Sequence, residues 1–145
     1  MFIKQISVFL ENTPGTLREL TNLIGVNGID LMALSIADTQ NFGIVRMIVA
    51  DDQVDPALKA LRETGYTCRV NNVICAVVEE RPLGLHDLLV TIHEIGISVE
   101  YLYSFLRATG DKALIILRLS EQDESVKKLA ELGVNIVTQE EIDRL

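Results

Sequence analysis

The strongest constraint on this chain is that one pattern of residues occurs twice, the second time 68 positions after the first. Between residues 14 and 34, seven residues are identical at this spacing, without a gap. In the first copy they are Pro14, Leu17, Leu20, Ile24, Gly28, Ile29 and Leu34, and in the second they are Pro82, Leu85, Leu88, Ile92, Gly96, Ile97 and Leu102. This period is longer than those of solenoid repeats, which are built from units of about 20–50 residues. The sequence therefore predicts a duplicated domain, with one unit over residues 1–71 and another over residues 72–145.

The pattern within each copy predicts four strands and two helices. Ile6, Val8 and Leu10 alternate with Gln5, Ser7 and Phe9, as in a strand. The leucines at positions 17, 20 and 23 have helical spacing. The elements expected in the first copy are a strand over 3–10, a helix over 14–24 with Pro14 at its first position, strands over 29–36 and 43–50, a helix from Asp55 and Pro56, and a strand over 66–70. After a joint at Asn71 and Asn72, the second copy is expected to have strands over 73–78, 97–105, 112–119 and 134–138, helices over 82–94 and 121–132, and a short terminal helix or tail over 139–145. This β-α-β-β-α-β order is the ferredoxin-like arrangement, an α+β fold with an antiparallel sheet and both helices on one face.

The third strand of each copy is apolar on both sides. Residues 44–49 and 114–119 carry almost no polar side chains, and a strand of this kind usually has both of its faces covered. We therefore expect the open faces of the two sheets to pack on each other or on a second chain, because an apolar surface of this size would otherwise promote aggregation.

The composition argues against two classes of partner. Thirteen Lys and Arg residues against 21 Asp and Glu residues give a net charge of −8, with no segregated basic patch, so nucleic acid is not an expected partner. No apolar run is long enough to cross a membrane, and no export signal is visible, so we expect a cytoplasmic protein. Cys68 and Cys75 lack the spacing of a zinc or redox motif and are expected to be buried free thiols.

The chain lacks the patterns that catalysis requires, and we expect neither an enzyme nor a metal or cofactor. The two histidines, His86 and His93, are two helical turns apart, which is about 10.5 Å and too far to share a metal without another ligand between them. Glu79 and Glu80 are neighbours at a strand end, so they point in opposite directions and do not form an acid–base pair. No nucleophile elbow, phosphate-binding loop or zinc-protease signature is present.

The most distinctive stretch is Asn-Thr-Pro-Gly-Thr-Leu at residues 12–17, between the first strand and the first helix. A glycine here leaves backbone N–H groups uncovered, and the N-terminus of a helix attracts anions such as carboxylates. The alternative interpretation is a tight strand-to-helix turn in which Asn12 or Thr13 caps the helix.

These residues resemble the ACT domain. A strand, then Asn-Thr-Pro-Gly-Thr-Leu, a helix, and then Asn-Gly-Ile-Asp-Leu entering the next strand are typical of that family. The second copy, with Arg-Pro-Leu-Gly-Leu at residues 81–85 followed by Gly-Ile-Ser-Val-Glu-Tyr-Leu-Tyr, resembles another such unit. The whole chain is covered, so it resembles a stand-alone tandem ACT protein with no attached enzyme.

The resemblance implies a regulatory protein that binds a small ligand, most often an amino acid, at an interface between ACT units. It implies a site formed by the loop after the first strand and by the start of the second strand. The corresponding residues in the first copy are Asn12, Thr13, Gly15, Thr16, Leu17, Asp30 and Leu31, with Met32 as a wall of the side-chain pocket. The corresponding residues in the second copy are Glu80, Arg81, Leu83, Gly84, Leu85, Ser98 and Val99. Because Leu83 stands where Gly15 does, and Glu80 adds a negative charge, the first loop is favoured for the carboxylate and the second copy as a partner wall.

In chemical terms, a ligand carboxylate would accept from the amides around Gly15 and Thr16, and an ammonium group would donate to Asn12 and Asp30. Asp30 is alternatively a solvated residue at a strand edge. An acidic rim at Asp30, Glu80 and Glu100 would suit histidine or a basic amino acid. Tyr101, Tyr103 and Phe105 share one strand face and are expected in the core rather than in a stacking platform.

The sequence therefore predicts an allosteric amino-acid sensor, a homodimer that reports to a regulated enzyme. The alternative is an interaction module that docks a protein partner without binding a small ligand.

Overall fold

The computed structural model describes residues 1–11, 13–38, 42–107 and 110–145. Two compact units are present. The N-terminal unit comprises Lys4–Asn71, and the C-terminal unit comprises Asn72–Leu145 together with Met1–Ile3.

The N-terminal unit is a sheet with two helices. Its elements are β1 (Ile3–Glu11, whose first residue belongs to the other unit), α1 (Thr16–Val26), β2 (Ala33–Asp38), β3 (Phe42–Ile48), α2 (Asp51–Glu63) and the first part of β4 (Thr67–Glu79). β3 is antiparallel to both of its neighbours, with Val45 opposite Val8 of β1 and Ile36 of β2. The inward residues of β1 and β3 pack against Leu20 of α1 and Leu61 of α2. Removing these side chains from water stabilises the unit.

The C-terminal unit repeats this arrangement. It contains the rest of β4, α3 (Gly84–Glu94), β5 (Val99–Ser104), β6 (Lys112–Leu119), α4 (Gln122–Glu131) and α5 (Gln139–Asp143). β6 is antiparallel to β4 and β5, and Ile74 and Leu117 pack against Leu88 of α3 and Leu129 of α4. The predicted α+β fold of two ferredoxin-like units is confirmed.

The helix that follows the first strand of each unit begins two residues later than the sequence predicted. Gly15 and Leu83 are the N-caps of α1 and α3, with φ angles of 88° and 69°. This left-handed backbone interrupts the helix, so Pro14 and Pro82 lie in the preceding turn. The placement of a cap at Thr13 was also wrong.

The second helix of the N-terminal unit begins earlier than predicted, at Asp51, and Pro56 lies inside it. Ala50 is the N-cap, and its carbonyl accepts from the N–H of Gln53 at 2.9 Å. The carboxylates of Asp51 and Asp52 favour a helix start at this place because they face its positive end. Because Pro56 has no N–H group, the second turn of α2 lacks one backbone hydrogen bond, and the helix forms in spite of this loss.

The strand break predicted at Asn71 and Asn72 is absent, because β4 continues through both residues, although the boundary between the two compact units falls between them. Their polar groups have partners along an extended strand. Asn71 Oδ1 accepts from the hydroxyl of Ser7 at 2.8 Å, and the carbonyl of Asn72 accepts from the side chains of Arg118 and Gln122 at 2.8 Å each. With these groups satisfied, the backbone has no need of a turn.

The strand predicted over residues 134–138 is reduced to one bridge between Ile136 and Ala76. Thr138 ends it by becoming the N-cap of α5, where its hydroxyl accepts from the N–H of Glu141 and the Glu141 carboxylate accepts from the N–H of Thr138. This reciprocal capping box starts a new helix. The hydrogen bond from the Thr138 N–H lowers the pKa of Glu141 below its ordinary value.

Gly84 marks a close approach of two backbone segments. It is buried, and a Cβ atom at this position would overlap the carbonyl oxygen of Glu79. A side chain here would force the end of β4 away from the start of α3. The glycine of the second loop is therefore required by packing.

The substitution Gly84→Ala should lower the free energy of unfolding by about 1–3 kcal/mol, the usual cost of overpacking a close contact. Gly25→Ala is the matched control, because Gly25 lies in α1 with no atom within 4 Å of its Cβ position. That control should gain about 0.5–1 kcal/mol. Urea denaturation of both variants measures the difference, and an unchanged midpoint for Gly84→Ala would contradict the close approach.

Candidate functional site

The loop before α1 is held by the side chain of Thr16. Its hydroxyl donates at 3.0 Å to the carbonyls of Glu11 and Thr13, and its N–H donates to the carbonyl of Thr13 at 3.4 Å. These bonds hold the turn over residues 13–15 in place, and their donor, Thr16, is the first residue of α1. Asn12, a predicted site residue, lies outside the described residues.

The N-terminus of α1 has no side-chain cap, because its N-cap is a glycine. Gly15 is exposed, and no atom lies within 4 Å of the place where its Cβ would be. The first turn of a helix has N–H groups without intrahelical acceptors, and they carry partial positive charge. The absence of a side chain at Gly15 leaves space beside this first turn, and N–H groups of this kind bind carboxylate and phosphate groups in other proteins.

The second loop keeps the backbone of the first in spite of its different sequence. Leu83 adopts the left-handed conformation that Gly15 adopts, although its side chain makes this unfavourable. The side chain of Leu83 is 65% exposed, so burial does not compensate for the strain. The glycine of the second loop, Gly84, lies one position later than Gly15 does in the repeat. The left-handed conformation nevertheless stays at the position equivalent to Gly15, which Leu83 occupies.

Arg81 is held in an ion-pair network at the start of α3. Its guanidinium donates to Glu79 at 2.8 Å and to Asp87 at 2.6 Å, and also to the carbonyl of Pro82. The hydrogen bond to Glu79, followed by that to Asp87, raises the pKa of Arg81. Asp87 was not among the predicted residues. The sequence did contain a signal for this ion pair, because Asp87 lies in the first turn of α3 and Arg81 lies in the loop just before that helix.

The other predicted residues of the N-terminal unit follow the far end of α1. The N–H of Asp30 donates to the side chain of Gln53 at 3.3 Å, and the Gln53 amide donates to the carbonyl of Gly28 at 3.2 Å. Leu31 packs against the core, and Met32 is buried with its N–H donating to the carbonyl of Ile48 at 2.9 Å. Asp30 is thus the exposed member of this group.

The two groups of predicted residues do not meet within one unit. Gly15 precedes α1 and Asp30 follows it, and an 11-residue helix is about 16 Å long. The strand register agrees, because Glu11 pairs with Phe42 at one end of β3 and Ala33 pairs with Ile48 at the other. A single ligand would touch both groups only if a second unit supplied one of them.

The C-terminal unit has the same separation. The residues of the second loop precede α3, whereas Ser98 and Val99 follow it. The N–H of Ser98 donates to the hydroxyl of Ser120 at 3.1 Å, and Val99 pairs with Leu119 at the far end of β6. The proposed acidic rim is divided in the same way, since Glu80 and Glu100 lie at opposite ends of α3. Glu100 also lies 3.8 Å from the guanidinium of Arg118.

A family comparison decides which class of protein this geometry belongs to. Residues 1–145 match the family model described as an ACT domain pair. The chain belongs to this family. No curated protein matches it.

Solved structures of other proteins share this fold. The chain is similar to protein BT0572 from Bacteroides thetaiotaomicron, with 33% identity and a TM-score of 0.88 over 100% of this chain and 98% of that one. It also resembles the regulatory subunit of aspartate kinase from Thermus thermophilus, in its ligand-free form, with 14% identity and a TM-score of 0.60 over 90% and 92% of the two chains. The regulatory subunit of aspartate kinase from Thermus flavus has 12% identity and a TM-score of 0.61 over 88% and 90%.

A groove beside the first loop of the ACT pair contains residues that sequence reasoning missed. It has a volume of about 740 Å³ and follows α1 from Gly15 to Val26. Arg18, Glu19 and Asn22 line it. The signal was present in the sequence, because polar residues three and four positions apart share the outer face of a helix. Arg18 adds a cation close to the exposed amides.

The two cysteines of this ACT pair lie where the sequence placed them, and so do two of the three aromatic residues expected in the core. Cys68 and Cys75 are buried free thiols, and burial raises the pKa of Cys75 to about 12, so this thiol stays protonated. Tyr103 and Phe105 are buried, whereas Tyr101 is half-buried and stacks on Tyr103 with ring centroids 6.5 Å apart. Among residues 1–11, 13–38, 42–107 and 110–145, no three His, Cys, Asp or Glu side chains are grouped to hold a metal ion. In the same part of the chain, no helix has the length and apolar character needed to cross a membrane.

The strained residue in the second ACT loop gives a direct test of this backbone. Leu83→Gly should raise the free energy of unfolding by about 0.5–1 kcal/mol, because it removes about 1–2 kcal/mol of left-handed strain and loses part of this to the entropy of glycine. Leu132→Gly is the matched control, since Leu132 is 55% exposed with a φ of −84°. The control should lose stability in the same chemical denaturation. A loss in both variants would show that Leu83 is not strained.

Proposed function

We propose that this ACT pair is an amino-acid sensor whose main ligand site is the N-terminus of α1. The observation that carries the proposal is the left-handed glycine cap, which leaves the first turn of the helix open to an anion. The ACT domain is a regulatory module, and two proteins of the same fold are regulatory subunits of aspartate kinase. We therefore propose a regulatory protein that reports to a partner enzyme and has no catalytic activity of its own.

The chemistry of the loop suits the carboxylate of an amino acid. The amides that follow Gly15 would donate to it, and Arg18 would add a charge-assisted hydrogen bond from the adjoining groove. Leu17 packs at the edge of the core and would contact the ligand side chain. The ammonium group needs acceptors, which Asn12 supplies in this proposal.

The acceptor at Asp30 cannot come from the same unit, since α1 separates it from Gly15. We propose that a second chain of a homodimer supplies it, so that the ligand binds between ACT units. Binding of this kind favours one arrangement of the two chains over another, because the ligand contacts both only when they are correctly placed. The shift in arrangement is what a partner enzyme would sense.

A second candidate function is a docking module without a small ligand. It is favoured by the apolar side chains at the start of α3, where Leu83 is 65% exposed and Leu85 is 38% exposed. Apolar residues at the tip of a loop commonly contact a protein partner. In this alternative both loops serve only as turns.

A thermal-shift screen against the twenty amino acids separates the two candidates. A ligand that binds only the folded state stabilises it by about 2.7 kcal/mol at a hundred times its Kd, which corresponds to several degrees in Tm. The sensor predicts a saturable rise with one or two amino acids. A screen in which no amino acid raises Tm would instead support docking.

Variants locate the site once a ligand is found. Arg18→Ala and Asn12→Ala should each weaken binding about tenfold to a hundredfold, since each removes a hydrogen bond to a charged group. Asp30→Asn should have a comparable effect. The matched controls are Arg62→Ala and Asp55→Asn, two exposed positions on α2 that should leave the affinity unchanged. Equal affinity for a variant and its control would place the ligand elsewhere.

A further inference from the structure

We infer that the N-terminal unit has a docking surface for a short acidic segment of a partner protein, one in which an aliphatic residue lies among carboxylates. The surface is the side of the N-terminal sheet that faces away from α1 and α2, here called the rear face. The residues that carry the argument are Phe9, Phe42, Ile44, Arg46 and Arg69. The inference does not rest on the proposed function, because none of these residues belongs to the proposed ligand site.

The strand pattern assigns these residues to the rear face. Val45 and Cys68 pack in the core that contains the buried side chains of α1 and α2. Because successive residues of a strand point to opposite sides of a sheet, their neighbours Ile44 and Arg69 point away from the helices. Phe9 pairs with Ile44 in the strand register, so it shares this side.

An apolar patch occupies one end of the rear face. The side chain of Phe42, two positions before Ile44 and therefore on the same side of β3, is 40% exposed. Its ring packs edge to face on Phe9, with centroids 5.7 Å apart, and Phe9 and Ile44 are half-buried. These three apolar side chains are only partly removed from water, which is typical of a surface that another chain contacts.

Two arginines border this patch. Arg46, two positions after Ile44, is half-buried, and Arg69 is exposed. One row of side chains links their strands, because Arg46 pairs with Ser7, whose hydroxyl donates at 2.8 Å to Asn71, two positions after Arg69. A guanidinium has five N–H donors, so each arginine can bind a carboxylate in addition to the contacts that it makes within the chain.

The charge of this surface is opposite to that of the chain, which has a net charge of −8. Among the described residues that the strand pattern assigns to the rear face of this unit, the charged ones are Arg46, Arg69 and Glu11. Glu11 is the last residue of β1 and pairs with Phe42, so it lies at the end of the face. An acidic partner is attracted to the side of the patch where the arginines lie, and a basic partner is not.

The C-terminal unit shows how its own chain covers the equivalent surface. Val77 pairs with Leu114 as Phe9 pairs with Ile44, so the two pairs occupy equivalent positions in the two sheets. A cavity of about 200 Å³ is lined by Val77 and Leu114 together with Glu141. The segment that contains α5 therefore lies over this side of the C-terminal sheet.

This covering segment is acidic and has one aliphatic anchor. Three of the five residues of α5 are acidic, and Ile142 is its buried residue. Just before the helix, the N–H of Val137 donates to the carbonyl of Cys75 at 2.8 Å, which holds the segment on the sheet. The N-terminal unit ends within β4 at Asn71, so no equivalent segment belongs to it. A partner segment with the chemistry of α5 would place its aliphatic residue on the apolar patch and its carboxylates beside the two arginines.

The test uses the full chain and, as the probe, an N-acetylated peptide with the sequence of residues 137–145. The peptide is titrated into ¹⁵N-labelled protein. We expect saturable shifts in the amide signals of Phe9, Ile44 and Arg69. A second peptide, in which Gln replaces both glutamates and Asn replaces the aspartate, should bind about tenfold more weakly, because it lacks the charged acceptors.

Two variants of the protein locate the surface. Arg69→Glu should weaken binding of the acidic peptide about tenfold or more, because it replaces an attraction by a repulsion. Arg62→Glu is the matched control, since it makes the same charge change at an exposed residue of α2 and should leave the affinity unchanged. Phe42→Ser should also weaken binding, because it removes the exposed ring of the apolar patch. If Phe42→Ser does not fold, Arg69→Glu provides the test alone, because Arg69 is exposed.

Other outcomes overturn the inference. It fails if the peptide shifts no residue of the rear face up to millimolar concentration, or if it shifts Cys75 and Ile116 instead, because the peptide would then be replacing α5. It also fails if the uncharged peptide binds equally well, or if Arg69→Glu and Arg62→Glu have the same affinity. Sedimentation velocity tests the remaining occupant, a second copy of this chain. A dimer that Arg69→Glu converts to a monomer, while Arg62→Glu does not, would show that the rear face is an interface between copies and not a site for an acidic segment.

Discussion

A single backbone conformation separates strand from helix in both halves of the chain. At Gly15 and Leu83 the backbone turns left-handed, and this fixes where α1 and α3 begin. The direction of each helix over its sheet follows from that start, and so does the burial of Leu20 and Leu88. The same conformation also places a residue without a hydrogen-bonding side chain at the helix N-terminus. The folding requirement and the proposed binding chemistry thus depend on one residue in each unit.

The two units have used this common framework differently. The N-terminal unit has a glycine in its loop, which adopts the left-handed backbone without steric strain. The C-terminal unit has a strained leucine at the equivalent position and an arginine fixed by two carboxylates beside it. A duplicated domain is free to diverge in this way, because one copy can keep an unstrained turn while the other tolerates strain beside a network of ion pairs.

Much of the fold could be predicted because hydrophobic periodicity is a local property of the sequence, and the internal repeat allowed the elements of one copy to be checked against those of the other. The starts of α1 and α3 were predicted two residues too early, because Pro14 and Pro82 suit the first position of a helix. The positive φ angle of the residue after each proline ends this possibility, and the sequence does not reveal that angle. The continuity of β4 depended on partners of Asn71 and Asn72 that are distant in sequence. The arrangement of the candidate site depends on distances of the same kind. The resemblance places Asp30 opposite the first loop at an interface between units, and the length of α1 separates Gly15 and Asp30 of one unit by about 16 Å.

Residues 1–3 belong to the C-terminal unit, although they precede the N-terminal unit in the chain. Ile3 is fully buried, and Phe2 packs against the core that contains Leu117 and Leu129. These three residues are synthesised before the N-terminal unit, whereas their partners in the C-terminal unit are synthesised after it. During synthesis the N-terminal unit can therefore complete its core while the segment before it is still without its partners. Closure of the C-terminal unit requires one segment from each side of the N-terminal unit in the sequence.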